Sequence, residues 1–460
     1  MALDQEKPVS QNPEGSFAGI GRRFESILLK NLDLLLQRYF ARADYPFIDM
    51  KLSLIDGVDF DALPDAKKTL KGSGAIYSWI QGRGLEALSG HAEWLEECRI
   101  LSESDKRFRL SQIKTILLEV SAEVERLRRI NGGHLFFCTD SQGVPLGPNS
   151  LWKDFAKRAE NTSTMSDLFC CKGLFAAYTY LQDSAGASRA AGWFKAILAD
   201  IDSGRFINDQ FFWGKENASP TGQSHASRMI ALGGLSLFAK LSGDRFYLDT
   251  AAGFIRHIIE KHVNTGRFSA LQEFDFIEFL AGDGTPQRNQ GRVLSDPGHC
   301  LEFVGLATKA LRLIESGAYA EHDNLLKLCR KQLPGILVHN FNNGFNRRSG
   351  GICKTFDLIS RQPADSNMPW WSLPETIRAA SEVLAFVPED PRKGQILQIL
   401  KDCADAYLDR YINPSVGCMA YQTRDAQGKV ADIPPATPDA DPCYHTGLSI
   451  IDFLKATARR

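Results

Sequence analysis

The sequence predicts an all-α fold, an (α/α)6 barrel of about twelve helices with short β-hairpin loops gathered at one end. Three observations lead there. Apolar residues recur at helical spacing along most of the chain, with little of the alternation that marks strands. Two loops resemble one another: Asn131-Gly132-Gly133-His134-Leu135-Phe136-Phe137-Cys138-Thr139-Asp140 and Ser349-Gly350-Gly351-Ile352-Cys353-Lys354-Thr355-Phe356-Asp357 both run from a double glycine through apolar and aromatic residues to an aspartate. An open α-solenoid would instead show a clean period of roughly 30–45 residues, which this chain lacks.

Taken in order, residues 1–15 are polar, carry Pro8, Pro13 and Gly15, and read as a mobile leader; residues 16–460 form a single catalytic domain. Helical spacing predicts helices at 24–41, 75–100 and 109–130, the second containing Gly82 and Gly84. The first double-glycine loop follows as a turn into a brief strand, half of a small hairpin. Helices at 151–158, 166–181, 187–201, 224–241 and 246–262 come next, and a Gly/Pro-rich run at 281–286 closes that set. Pro297 and Gly298 suit the start of a helix over 297–314, whose apolar spacing runs Leu301, Phe303, Val304, Leu306, Ala307, Ala310, Leu311, Leu313, Ile314. A helix at 321–333 and the second double-glycine loop lead to helices at 373–386 and 393–411. Beyond the proline-rich loop 432–438, the last helix covers 444–456.

Charge is nearly balanced, 54 basic against 55 acidic residues, and no basic block is interleaved with aromatics, so nucleic acid is not an expected partner. Neither a signal-like start nor a membrane-length apolar stretch is present, and the expected location is cytoplasmic, with no membrane partner. Ten cysteines lie scattered without a CxxC pair, and Cys170-Cys171 are adjacent, which fits reduced thiols better than a disulfide framework or zinc ribbon.

The chemistry-bearing residues cluster at predicted helix starts. His299 and Glu302, three apart, share the first turn of the 297–314 helix, where the dipole should lower the imidazole pKa and favour a neutral base. A capping histidine without chemistry is the alternative. Asp441-Pro442-Cys443-Tyr444-His445 opens the last helix in a similar way, so two imidazoles can meet at a common rim, matched to proton transfer near neutral pH. Ser224-His225 offers a third histidine at a helix start. Arg83 sits between Gly82 and Gly84, each costing about 1 kcal/mol in a helix interior, which points to something large against the backbone; it serves either as an anchor for substrate oxygens or as a surface partner of Glu86. Trp370 and Trp371, just before Glu375, suit stacking on a sugar or filling the core. A metal set of His299, Glu302 and His445 has no HExxH support, so no metal or other cofactor is expected. His257, His262, His322 and His339 read as structural.

Taken together, Asp296-Pro297-Gly298-His299-Cys300-Leu301-Glu302, Gly350-Gly351 to Asp357, Trp370-Trp371 to Glu375, and Tyr444-His445 resemble, in order and spacing, the motifs of the N-acylglucosamine 2-epimerase superfamily. That superfamily includes cellobiose 2-epimerases and mannose and sulfosugar aldose–ketose isomerases. The resemblance covers roughly 75–454, with Arg83 matching the arginine of an early helix and His225 to Met229 standing inexactly for a His-Met segment. It implies a sugar 2-epimerase or aldose–ketose isomerase working through ring opening and a cis-enediol(ate). His445 is then the C2 base, His299, polarised by Glu302, the second acid/base, and Arg83 the enediolate stabiliser. Trp370, Trp371, Glu375, His225 and Tyr444 would bind substrate. The expected partner is a small-molecule sugar, and a homodimer is compatible with such a chain. Ser372, Leu373 and Pro374 depart from the usual Pro-Gln-Ala/Ser, the stretch before Tyr444 lacks the family's Lys-Gly-x-x-Lys-Gly-Pro run, and residues 44–61 match no family element. Two further readings are a glycoside hydrolase on the same barrel, resembling unsaturated glucuronyl hydrolases and using Asp167 and Glu375 as paired acids, and a non-catalytic carbohydrate- or protein-binding barrel.

Overall fold

A computed structural model of the chain describes residues 13–64, 70–147, 162–212 and 223–457. The expected helix at 151–158 and most of the expected leader lie outside these residues. Residues 13–15 belong to a helix rather than to a leader, because α1 starts at Pro13.

Twelve α-helices are described: α1 (Pro13–Phe40), α2 (Ser78–Glu97), α3 (Glu103–Ile130), α4 (Met165–Tyr180), α5 (Ser184–Ser203), α6 (Ala226–Ser242), α7 (Phe246–His262), α8 (Pro297–Ser316), α9 (Asp323–Gly344), α10 (Ser372–Phe386), α11 (Lys393–Ala406) and α12 (Ser449–Thr457). Their packing makes two concentric rings. The even-numbered helices form the inner ring, α2 on α4, α4 on α6, α6 on α8, α8 on α10 and α10 on α12, and the π-helical turn Tyr444–Leu448 ahead of α12 closes it against α2. Odd-numbered helices pack outside them, completing the expected (α/α)6 barrel.

The two rings differ in sequence for a physical reason. Almost every residue of α4 and α10 is buried, as befits helices walled in on all sides. The outer helix α3 buries only one stripe, Ile113, Ile116, Leu117, Val120, Val124 and Leu127, at helical spacing. α2 and α4 cross at glycine: a Cβ on Gly82 would lie 2.4 Å from the Phe169 carbonyl carbon, and one on Gly173 would lie 2.3 Å from the Gly82 carbonyl oxygen. What approaches the backbone at Gly82 is therefore a neighbouring helix.

Short strands precede the inner helices: Ile76–Tyr77 before α2, Gln223–Ser224 before α6, Arg292–Ser295 before α8 and Met368–Pro369 before α10. They mark one end of the barrel. The first double-glycine loop enters a small local hairpin, Thr139 bridging Pro145 and the Leu146 N–H donating to the Cys138 carbonyl at 2.9 Å, and its strand Cys138–Thr139 also pairs with Ile76–Tyr77, far away in sequence. The second behaves as expected, with Thr355–Asp357 pairing with Gln362–Asp365 and joining Arg292–Ser295 in a four-stranded sheet. The helix expected to stop at 333 continues through Pro334 to Gly344, because Ile336, Leu337, Asn340 and Phe341 carry its buried face onward; tertiary packing outweighs the local penalty of proline. No described helix is long and apolar enough to cross a membrane, and the ten cysteines are unpaired.

Candidate active site

The end marked by the strands holds a cavity of about 380 Å³ whose wall includes Arg83, Glu278, His299, Glu302, Lys354, Trp370, Trp371, Asp439 and His445. His299 and His445 do converge on one cavity.

His299 is fixed by the start of α8. Pro297 opens the helix, and the Asp296 carboxylate caps it by accepting the His299 backbone N–H at 3.3 Å. The imidazole Nδ1 lies 3.0 Å from Glu278 Oε1 and 3.4 Å from Asp296 Oδ2. The other Glu278 oxygen bonds His225 Nε2 at 3.1 Å and the Asp296 N–H at 3.3 Å. Burial alone would raise the Glu278 carboxyl pKa, but the two imidazoles outweigh it and hold the group well below the ordinary range. Burial likewise opposes a charged His299, yet Asp296 and Glu278 prevail and its pKa is raised. The expected lowering by the helix dipole is thus overridden by two carboxylates, and the partner of His299 is Glu278 rather than Glu302.

His445 is positioned from both sides. Asp441 accepts the backbone N–H groups of Tyr444, His445 and Thr446 at 2.9, 3.2 and 3.0 Å, with Cys443 in the left-handed region at φ 62°. Its Nδ1 lies 2.8 Å from Glu375 Oε1, which also accepts from Ser449 Oγ at 2.9 Å. Arg378 holds the other Glu375 oxygen at 2.5 Å. Glu375 would be pushed up by burial, but Arg378 and His445 pull its pKa below the usual value. Glu302, whose carboxylate can come within 4.8 Å of both Glu375 and His445, is pushed up by burial and then by the Glu375 charge. Of these two carboxyls, Glu302 is the one shifted up and Glu375 the one shifted down.

Trp371 stands between the imidazoles, its ring 5.4 Å from His299 and 5.9 Å from His445. The Arg83 guanidinium lies over Phe169, Trp79 and Tyr444 at 4.3, 5.1 and 5.5 Å, and among the described residues its buried Nε has no partner. Burial lowers the Arg83 pKa. Glu86, the alternative partner, is taken by Lys172 at 3.1 Å, and Lys172 also donates to the Tyr444 hydroxyl at 2.8 Å.

Three expected substrate contacts are corrected. Glu375, His225 and Tyr444 do not line the cavity. Glu375 sits behind His445, and His225, fully buried, lies behind Glu278 with its ring 4.6 Å from Phe276. Tyr444 lies under Arg83. Asp167, half of the hydrolase pair, is also fully buried, accepting the N–H groups of Thr164 and Leu135 at 2.9 and 2.8 Å. Sequence reasoning missed Glu278, Lys354, Asp439 and Asp441. A lone carboxylate inside the apolar run Phe276-Ile277-Glu278-Phe279-Leu280 was the signal available for the first of these.

Among the described residues, His225/Glu278/His299 and Glu302/Glu375/His445 have spacings that could hold a metal ion, as does the surface set Asp249/Glu321/His322. His299, Glu302 and His445 divide between the first two sets instead of forming one. In those sets the Nδ1 atoms of His299 and His445 and the Nε2 of His225 already bond carboxylates.

Residues 152–447 match the family model described as N-acylglucosamine 2-epimerase. The chain belongs to that family. No curated protein matches it by sequence. Among solved structures, this family member is similar to cellobiose 2-epimerase from Spirochaeta thermophila, at 13% identity over 98% of this chain and 99% of that one, with a TM-score of 0.66. Cellobiose 2-epimerase from Bacillus thermoamylovorans gives 14% identity, 96% and 99% coverage, and a TM-score of 0.64. A D-mannose isomerase gives 14%, 98% and 100%, and 0.60. At such identities the likeness is one of fold.

Proposed function

We propose that this family member interconverts sugars at C2, as a 2-epimerase or an aldose–ketose isomerase, through an open-chain aldehyde and a cis-enediolate. One observation carries the reading: two imidazoles reach a single cavity, each with Nδ1 bonded to an ionised carboxylate. In each ring the Nδ1–H then donates to Glu278 or Glu375 and leaves Nε2 as the acceptor, the arrangement of an oriented general base.

The residues divide the work accordingly. His445 takes the C2 proton of the aldehyde form, and His299 serves as the second acid/base. Glu302, on the same wall, is placed to hydrogen-bond a sugar oxygen or hydroxyl. Negative charge developing on the enediolate oxygens falls to Arg83, whose guanidinium pairs with no carboxylate among the described residues and needs no reorganisation. Trp370 and Trp371 offer apolar faces to the sugar carbons. Delivery of a proton from His299 to the opposite face of C2, with His445 keeping the one it removed, gives the epimer, and transfer of the His445 proton to C1 gives the ketose. The hydrolase reading is disfavoured by the burial of Asp167 and by the engagement of Glu375 with His445, Ser449 and Arg378.

D-Mannose, N-acetyl-D-mannosamine, D-glucose and cellobiose, incubated separately with the full chain and analysed for sugar products, test the reading. We expect conversion of at least one into its C2 epimer or 2-ketose. Arg83→Ala should lower kcat and raise KM together, because the guanidinium meets oxygens in both ground and transition states. Cleavage of a glycoside in place of either product would contradict it.

A further inference from the structure

One cation on the cavity wall has no role in that chemistry. Lys354 belongs to the second double-glycine loop, immediately before the strand Thr355–Asp357, and its side chain is 36% exposed. The backbone there is held on both sides, the Cys353 N–H donating to the Gly344 carbonyl at 3.0 Å and the Lys354 N–H to the Asn367 carbonyl at 2.7 Å. The ammonium donates to Asp296 Oδ2 at 2.5 Å and lies 5.5 Å from the Trp371 ring. Among the described residues Asp296 is its one hydrogen-bond partner, and an ammonium carries three N–H donors. Burial works against the charge, but Asp296 outweighs it and raises the Lys354 pKa, so the group is an ammonium at neutral pH.

Its place in the cavity narrows what it can meet. Asp296 Oδ2, the oxygen that holds Lys354, is 3.4 Å from His299 Nδ1. The His445 ring is 5.0 Å from Tyr444, and the Arg83 guanidinium lies 5.5 Å over that same tyrosine. The two cavity cations thus flank the histidines, Arg83 beside His445 and Lys354 beside His299. Arg83 is taken by the enediolate oxygens at C1 and C2, which leaves Lys354 for an oxygen further along the chain. Asp296, Glu278 and Asp365 all set negative charge near the ammonium, so little positive field remains for a phosphate, sulfonate or carboxylate. A hydroxyl oxygen, an uncharged acceptor for a charged donor, suits it.

We propose that Lys354 is a substrate-binding residue that donates a hydrogen bond to one hydroxyl oxygen at C3, C4 or C6 of the sugar, holding the tail of the chain while Arg83 holds its carbonyl end. The inference rests on the sugar-isomerising reading above. A contact so far from the reacting carbons is the same in the ground and transition states, and its loss is read in KM.

The test uses the fastest-converted sugar of the panel above, together with the monodeoxy analogues that each lack one free hydroxyl at C3, C4 or C6 of its reducing unit. Lys354→Met should raise KM for the parent sugar by about 10- to 100-fold, with kcat on the alkaline plateau kept within about threefold. The analogue without the contacted hydroxyl should show that rise already in wild type, and Lys354→Met should add less than about twofold to it, whereas the other analogues lose as much as the parent. Lys354→Gln offers Asp296 a neutral amide donor and supplies the same comparison if Lys354→Met fails to fold. In a folded variant, a KM for the parent within about twofold of wild type, or an equal rise for the parent and every analogue, overturns the contact and leaves the isomerase reading standing. Conversion of no sugar by the wild type removes the isomerase reading and this inference together.

Discussion

Glu278 Oε1 lies 3.0 Å from His299 Nδ1, and the second oxygen of the same carboxylate lies 3.1 Å from His225 Nε2, so one buried group orients two imidazoles. The consequence is a pH dependence with a definite sign. His299 accepts a proton only when neutral, and Asp296 and Glu278 raise its pKa above the ordinary histidine value of about 6.5. Activity should therefore fall on acidification through an apparent pKa above that value. Glu278→Gln removes one of the two charges responsible. The acid limb of kcat/KM should move down by about one to three pH units, while the rate on the plateau drops because the ring loses its orientation. An acid limb unmoved in Glu278→Gln would show that His299 is not the titrating base.

Behind Arg83, the Lys172 ammonium is buried between Glu86 and Tyr444. Lys172→Met leaves Glu86 as an uncompensated buried carboxylate, and the expected loss is about 3–5 kcal/mol in a urea titration. Adding Glu86→Leu should recover much of it, since replacing both members of a buried pair by apolar groups is often close to neutral. A single-variant loss below about 1 kcal/mol would place the pair among weak, well-solvated ones.

The barrel and the histidine convergence were legible because their determinants are local. Apolar spacing along each helix and the Asp-Pro starts of two inner helices lie within a few residues of one another, and a closed ring brings equivalent helix starts to one rim. The partners were not legible in the same way. Glu278 meets His299 across 21 positions, and His445 meets Glu375 across 70. Nothing near Glu302 in sequence showed that Glu278 would outcompete it for His299. The family resemblance implied substrate contacts for Glu375, His225 and Tyr444, whereas packing turns each one behind a neighbour that lines the cavity. Residues 44–61 matched no motif because their role is a long-range one: Met50 and Lys51 meet Asp439 from the far end of the chain.

The central claim is that His445 removes a proton from C2 of an open-chain sugar. Incubation of the neutral sugar panel in D2O with NMR detection tests it most directly. Wild type should place deuterium at C2 of the substrate or its epimer, or at C1 of the ketose. His445→Asn should reduce that exchange by about 10²–10⁴-fold with little change in KM, since asparagine keeps a polar group but no base near neutral pH. Epimer formed without deuterium at C2, or exchange retained above about a tenth of the wild-type rate in His445→Asn, would contradict the account.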